Sequence, residues 1–444
     1  MRIINPYSGI NFSTVQSVRS ITHEHIYAED KWKSCYDRGI RHFAAMHYQP
    51  SAPRFPASNF YYKIEGSNPV LWPYIDFVNL QEGDFDTKEW TLQGRIISFV
   101  DKDGNTILTD NLPQIPNNEH PTFTRKLGET TKFLQHFNVL GNLWPECGWG
   151  VQGRAALRSG HPLSDLDDFA NFFNSANQYW TGKLLFTINH TTARADALTY
   201  INAVAGRCPI AFEVFNDDYT DARNEQFVRL YDELLSDGFR LQVTAVVDWQ
   251  GYISLDMTPA EEEYWQAAYD ALPPEEKAQY EDYKAYYAAV GRTRNYDCGC
   301  NVLYVPAGYD NLPANDFLTI DGKSYPNKDS ETYTKAEAGL DSYIAGTYFA
   351  SAFGNHQITD LSVSANRVAF SVDNAATSVV AVSNLGRTEV SGNSISVLVK
   401  PGMKYIRFEA RFNNDEKPDF IYTNPLFIED NEEKSEAERI LLLL

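Results

Sequence analysis

The sequence predicts an α/β protein whose first two-thirds form a parallel barrel or sheet, joined to a small C-terminal antiparallel β domain. Three observations carry this expectation. The runs HFAAMH, LLFTINH and LQVTAVVD are short, apolar and rich in β-branched or aromatic residues, as buried strands are, and they end at His47, His190 and Asp248. Helical segments follow the strand-like runs, and such βα repetition favours parallel pairing over a sandwich. From about residue 357 the pattern changes to period two, in ITDLSVSANRVAFSV, SVVAVSN and KYIRFEARF, which reads as antiparallel strands.

The elements follow in order. VRSITHEHI is a strand entering the pair His23 and His25, and Asp30–Arg38 a short helix, with Gly39 ahead of the strand to His47. Residues 48–116 form an elaborated loop. Within it GRIISFVDKDGNTILTD reads as a hairpin turning at Asp103-Gly104. Ser164 or Asp165 caps a helix through Leu166, Phe169, Ala170 and Phe173. After Asp217 comes the clearest helix: Phe227, Leu230, Tyr231, Leu234 and Leu235 share one face, and Gly238 supplies the stop. Residues 257–290, acidic and tyrosine-rich, form a helical insertion interrupted at Pro273-Pro274. The expected division is a metal-binding barrel over 1–350, a small sandwich-like β domain over 351–428 and a charged tail over 429–444.

Composition narrows the partners. The formal net charge is −21, from 38 basic and 59 acidic residues. That argues against nucleic acid or an anionic membrane as a partner. An anionic small-molecule substrate remains compatible, because bound cations would dominate the local field. Five cysteines at irregular spacing imply no disulfide framework. No apolar run reaches the roughly 18 residues of a membrane span, and no signal peptide opens the sequence as given, so a soluble, cytoplasmic protein is expected. Composition does not address oligomeric state.

The chemistry lies in the histidines, of which there are only nine. Residues two apart on a strand face the same way, so His23 and His25 are placed to grip one ion together. With His47, His190 and Asp248 at other strand ends, a metal site at the carboxyl end of the sheet is expected. His42 falls on the opposite strand face from His47 and reads as structural. His161 reads as a loop residue and His356 as part of the β tail. Glu213, inside the buried run PIAFEVFN, is either a partner orienting a ligand histidine or half of a structural ion pair. Cys298-Gly-Cys300 lacks a second pair and reads as ordinary loop.

Taken together, ITHEHIYAED, GIRHFAAMH, NNEHP with QHFNVLGN, FTINH, and AFEVFN with LQVTAVVDWQ resemble the motifs of the PHP (polymerase and histidinol phosphatase) superfamily. The similarity is to the carbaryl-hydrolase-type branch, which joins such a barrel to a β tail, and it runs from about Ile21 to Ile428. The resemblance implies a distorted (β/α)7 TIM-like barrel holding two to three divalent ions (zinc, manganese or iron). Its ligands would be His23, His25, Asp30, His47, Glu119, His136, His190 and Asp248, with Asp248 or Asp30 carrying the proton. Where the family pattern has Asp-x-His, this chain has Asp248-Trp249-Gln250, and a glutamine carbonyl is a poor substitute for imidazole. Gln250 is left for a weak third position or for substrate, and Arg54 and Arg125, in segments leading to the site, are candidates to bind an anionic substrate group, with solvated surface as the alternative for each. His120, beside Glu119, is a less favoured neighbour.

The function expected on this basis is metal-dependent hydrolysis by a metal-activated water, with a phosphoester as substrate. Carbamate, amide or ester cleavage by the same ions is the runner-up. A degenerate binding or scaffold protein is the non-enzymatic alternative, favoured by Gln250 and opposed by the other retained ligands.

Overall fold

A computed structural model describes residues 2–24, 26, 29–44, 61–64, 90–93, 98–117, 119–124, 132–141, 181–248, 266–267, 269–270, 272–290, 298–320, 323–327, 330–373, 376–412 and 418–429. The expected helix at 165–173 and the tail beyond Glu429 lie outside these residues.

The local readings based on turn and cap chemistry match the structure closely. Ser98–Val100 pairs antiparallel with Thr106–Leu108 across the Asp103-Gly104 turn. Gly104 sits at φ +87°, and the Asp101 carboxylate accepts the backbone N–H groups of Asp103 and Asn105. Those bonds, the one from Asn105 foremost, hold the Asp101 carboxyl below its usual range. Thr220 caps the helix Asp221–Asp237 by accepting the Arg223 N–H, and Gly238, at φ +103°, ends it. In the insertion, Pro274 starts the short helix Pro274–Lys277, and Tyr283–Val290 forms a second one.

The (β/α)7 barrel is not what these elements build. Among the described residues there are three parallel units. Gln16–Ile21 pairs parallel with Ile40–Phe43 around the helix Glu29–Asp37, and Leu185–Ile188, Ile210–Asn216 and Leu241–Val246 form a parallel trio around two helices. Among the described residues the other strand pairings are antiparallel, with one isolated parallel bridge between Phe43 and Gln114. Glu119–Thr124 folds back on Lys132–Leu140, which in turn runs antiparallel to Leu185–Ile188. Only residues 125–131 separate the first two, and a parallel crossover needs about a dozen residues or more. Gly299–Val305 is antiparallel both to Gln16–Ile21 and to Tyr348–Ala352.

The result is mostly β. Among the described residues there are a five-stranded sheet (119–124, 132–140, 185–188, 210–216, 241–246) and a ten-stranded one. In the larger sheet Tyr348–Ala352 pairs with Phe420–Thr423, which continues through Tyr405–Phe412 to Ala376–Ser383, so strands on both sides of residue 350 share it. A three-stranded sheet, Ile358–Ser364, Arg367–Val372 and Ser394–Leu398, covers this region. Phe370 and Phe408 stack across the shared core at 4.7 Å.

The two large sheets meet where the Asn301 side chain acts as a surrogate strand. Its Oδ1 accepts the Ala245 N–H at 3.2 Å and its Nδ2 donates to the Ala245 carbonyl at 3.1 Å. The backbones are close enough here that a Cβ on Gly299 would lie 2.0 Å from the Val246 carbonyl oxygen. Gly299→Ala is therefore expected to cost about 3 kcal/mol, read as a lower urea midpoint. An unchanged midpoint would contradict this close approach.

Candidate metal centre

Three strand ends converge just beyond the sheets. His23 follows Gln16–Ile21, His190 follows Leu185–Ile188 and Asp248 follows Leu241–Val246. The backbone is anchored locally: Thr22 O accepts Asn117 Nδ2 at 2.6 Å and Asn138 Nδ2 at 3.0 Å, and Asp248 N donates to His23 O at 3.0 Å. All three side chains are buried.

Their donor atoms form one cluster. His23 Nε2 lies 3.0 Å from Asp248 Oδ1, and His190 Nε2 lies 3.7 Å from Asp248 Oδ2. One atom from each residue falls within 4.8 Å of the others. A tetrahedral ion with ligands at about 2.1 Å places its donors about 3.4 Å apart; the two contacts, made to different oxygens of Asp248, lie on either side of that spacing. Two imidazoles and a carboxylate are also the donor set that zinc-like ions take with a position left open for water. The residues fit one divalent ion.

A second set of groups holds the donors in place. Glu213, 1% exposed, receives His23 Nδ1 at 2.6 Å, which directs Nε2 of the same ring toward Asp248. The other Glu213 oxygen accepts the His190 backbone N–H at 3.2 Å and Asn216 Nδ2 at 3.3 Å. Both His190 and Asp248 have positive φ, +26° and +52°. Such conformations cost roughly 1–3 kcal/mol each and persist where the surroundings over-determine them.

The other expected site residues stand as follows. His136 is half-buried with its ring 5.1 Å from that of His190, beside the cluster. Glu119 opens the strand Glu119–Thr124, opposite Asn138 and diagonal to His136 in the backbone register, and Asp30 lies in the helix Glu29–Asp37. The side chains of Glu119 and Asp30 are outside the described residues, as are His25, His47, Arg54, Arg125 and Gln250 altogether.

His42 is buried elsewhere, bonded to Ser20 Oγ and the Ala336 carbonyl, and burial pulls its pKa down to about 4. The Cys298-Gly-Cys300 stretch enters a strand rather than a loop. Both thiols are buried, which raises their pKa values, that of Cys300 to about 12. They are poor candidates for thiolate ligands. Glu24, between the two histidines of the pair, forms a buried ion pair with Lys31 at 2.7 Å.

Sequence reasoning missed Asn216. Its signal was an amide ending a run as apolar as IAFEVF, where a side chain without hydrogen-bond partners would be costly. A cleft of about 1130 Å³ also exists, between the Asp221–Asp237 helix and the C-terminal strands, but no cluster residue lines it.

No family model, curated protein or solved structure matches this chain. Among the described residues, no helix is long and apolar enough to cross a membrane.

Proposed function

We propose that the chain is a metal-dependent hydrolase whose centre is held by His23, His190 and Asp248, with His136 and Glu119 as the candidates for extending it toward a second ion. The observation carrying this reading is the buried two-histidine, one-carboxylate cluster whose His23 ring is oriented by a second carboxylate. A bound ion would supply Lewis acidity and lower the pKa of a coordinated water to about 7.

The protein's own groups have separate tasks. Glu213 fixes the tautomer of His23. Asp248 binds through one oxygen and, with Asp30, is the proposed proton carrier. Phosphoesters of small anionic molecules are the first substrate class on the strength of the sequence resemblance to PHP proteins, with Gln250, Arg54 and Arg125 as the proposed substrate contacts.

The test is elemental mass spectrometry on protein purified without chelators, followed by a phosphoester screen before and after chelation. The expected result is at least one equivalent of zinc, manganese or iron and a chelator-sensitive turnover. A protein that is metal-free and takes up none of these ions would overturn the proposal. Metal uptake without turnover of any phosphoester, carbamate or ester would leave a metal-binding scaffold.

A further inference from the structure

We infer that Asn216 is a positioning residue that keeps Asp248 to a single ligating oxygen, Oδ1, and thereby biases the centre toward a four-coordinate, zinc-like ion. The inference rests on the metal-site reading above and extends it to a residue outside the donor set.

The amide of Asn216 has only one workable orientation. Its Oδ1 accepts the Asp218 backbone N–H at 3.0 Å, so the NH2 group must face the other way. There it donates to Asp248 Oδ2 at 3.0 Å and to Glu213 Oε2 at 3.3 Å. The backbone of Asn216 is held as well: its N–H donates to Asn224 Oδ1 at 2.8 Å, and its carbonyl accepts Asn224 Nδ2 at 3.2 Å. Every polar group of this fully buried residue is engaged, and the side chain cannot rotate without losing a bond.

Two consequences follow. A neutral donor between two buried carboxylates offsets part of their repulsion and keeps Glu213 on His23 and His190 rather than on the ion. In addition, an oxygen that accepts a hydrogen bond is a weaker metal donor, so Asp248 offers Oδ1, the oxygen 3.0 Å from His23 Nε2, although Oδ2 is the one His190 Nε2 approaches, at 3.7 Å. One-oxygen binding suits ions of low coordination number. Two-oxygen binding would raise the coordination number and favour harder ions.

The test uses the full chain and the variant Asn216→Leu, which removes the donors at similar volume. Zinc affinity is measured by competition with a chromophoric chelator, and the visible absorption of the cobalt-substituted protein reports coordination number. Expected for the variant are a 10- to 100-fold loss of zinc affinity, the range typical of lost outer-sphere partners, and a weaker cobalt band as Asp248 turns to two-oxygen binding. A folded variant with unchanged affinity and an unchanged cobalt spectrum would overturn the assignment, whatever its melting temperature. If Asn216→Leu does not fold, Asn216→Ser decides by the same two readouts. Wild-type protein that binds neither zinc nor cobalt would remove the metal centre itself, and this inference with it.

Discussion

Replacing His23 with alanine is expected to reduce bound metal from at least one equivalent to less than about a tenth of one, because loss of a primary donor exceeds the 10- to 100-fold effect of losing an outer-sphere partner. The same change should destabilise the metal-free protein. The imidazole lies between Glu213, at 2.6 Å, and Asp248, at 3.0 Å, and without it two carboxylates about 1% exposed face one another. Breaking a buried charge pair by removing one partner costs about 3–5 kcal/mol.

Glu213→Gln separates the two effects. It keeps the shape and an acceptor for the His190 N–H but weakens the hold on the His23 tautomer, so it should lower metal affinity 10- to 100-fold with a smaller loss of stability. Metal content by elemental mass spectrometry and urea unfolding of the chelated protein measure both quantities. Unchanged metal content in a folded His23→Ala variant would mean that any ion binds elsewhere.

The second large effect lies far from the centre. Arg407 is 1% exposed and makes paired bonds to Asp232, Nε–Oδ1 at 2.6 Å and Nη2–Oδ2 at 2.7 Å, while its Nη1 lies 2.8 Å from Glu409 Oε1. This ties the Tyr405–Phe412 strand to the Asp221–Asp237 helix, the C-terminal sheet to the parallel trio. Arg407→Met is expected to cost about 3–5 kcal/mol, read as a lower midpoint in urea. Arg387→Ala removes a half-exposed partner of the same carboxylates and should cost only about 1 kcal/mol or less. Equal losses for the two would show that burial does not set the cost.

The network also sets an acid limit. Burial pushes the Glu409 carboxyl upward, but Arg407 and Arg387 together overcome it and hold the group below its ordinary range. A folded-state pKa below the unfolded one means that this stabilisation is present above about pH 4.3 and is lost as pH falls through the folded value. In Arg407→Met the carboxyl rises and the acid loss of stability moves to higher pH. Unfolding midpoints between pH 3 and 7 test the shift, and identical profiles for the two proteins would refute it.

What the sequence revealed depended on range. The Asp103-Gly104 hairpin, the helix stopped by Gly238 and the strand ends at His190 and Asp248 are set by residues within a few positions, and all were legible. The pairing of strands was not. Nothing in the composition of Gly299–Val305 says that it lies antiparallel to Gln16–Ile21, and βα repetition in the first two-thirds favoured a closed parallel arrangement that the antiparallel pairs interrupt. The candidate centre was legible in part. His23, His190 and Asp248 could be named from strand ends, and Glu213 from the oddity of a carboxylate in an apolar run. Asn216 showed only as an amide ending an apolar run, and its partners Asp248 and Glu213 came from the structure. The Arg407 network was hidden for the same reason: YIRFEARF alternates as a solvent-facing strand would, yet its charged side packs against a helix.

The Gln16–Ile21 strand, which leads into His23, is held between Ile40–Phe43 and Gly299–Val305. On a ribosome its second neighbour emerges long after its first, and Asp248, which donates its N–H to the His23 carbonyl, also arrives late. The donor cluster is therefore expected to close only after more than half of the chain has been made. Until then His23 would lack the Glu213 and Asp248 partners that direct its ring, and any ion meeting it early would find an incomplete donor set.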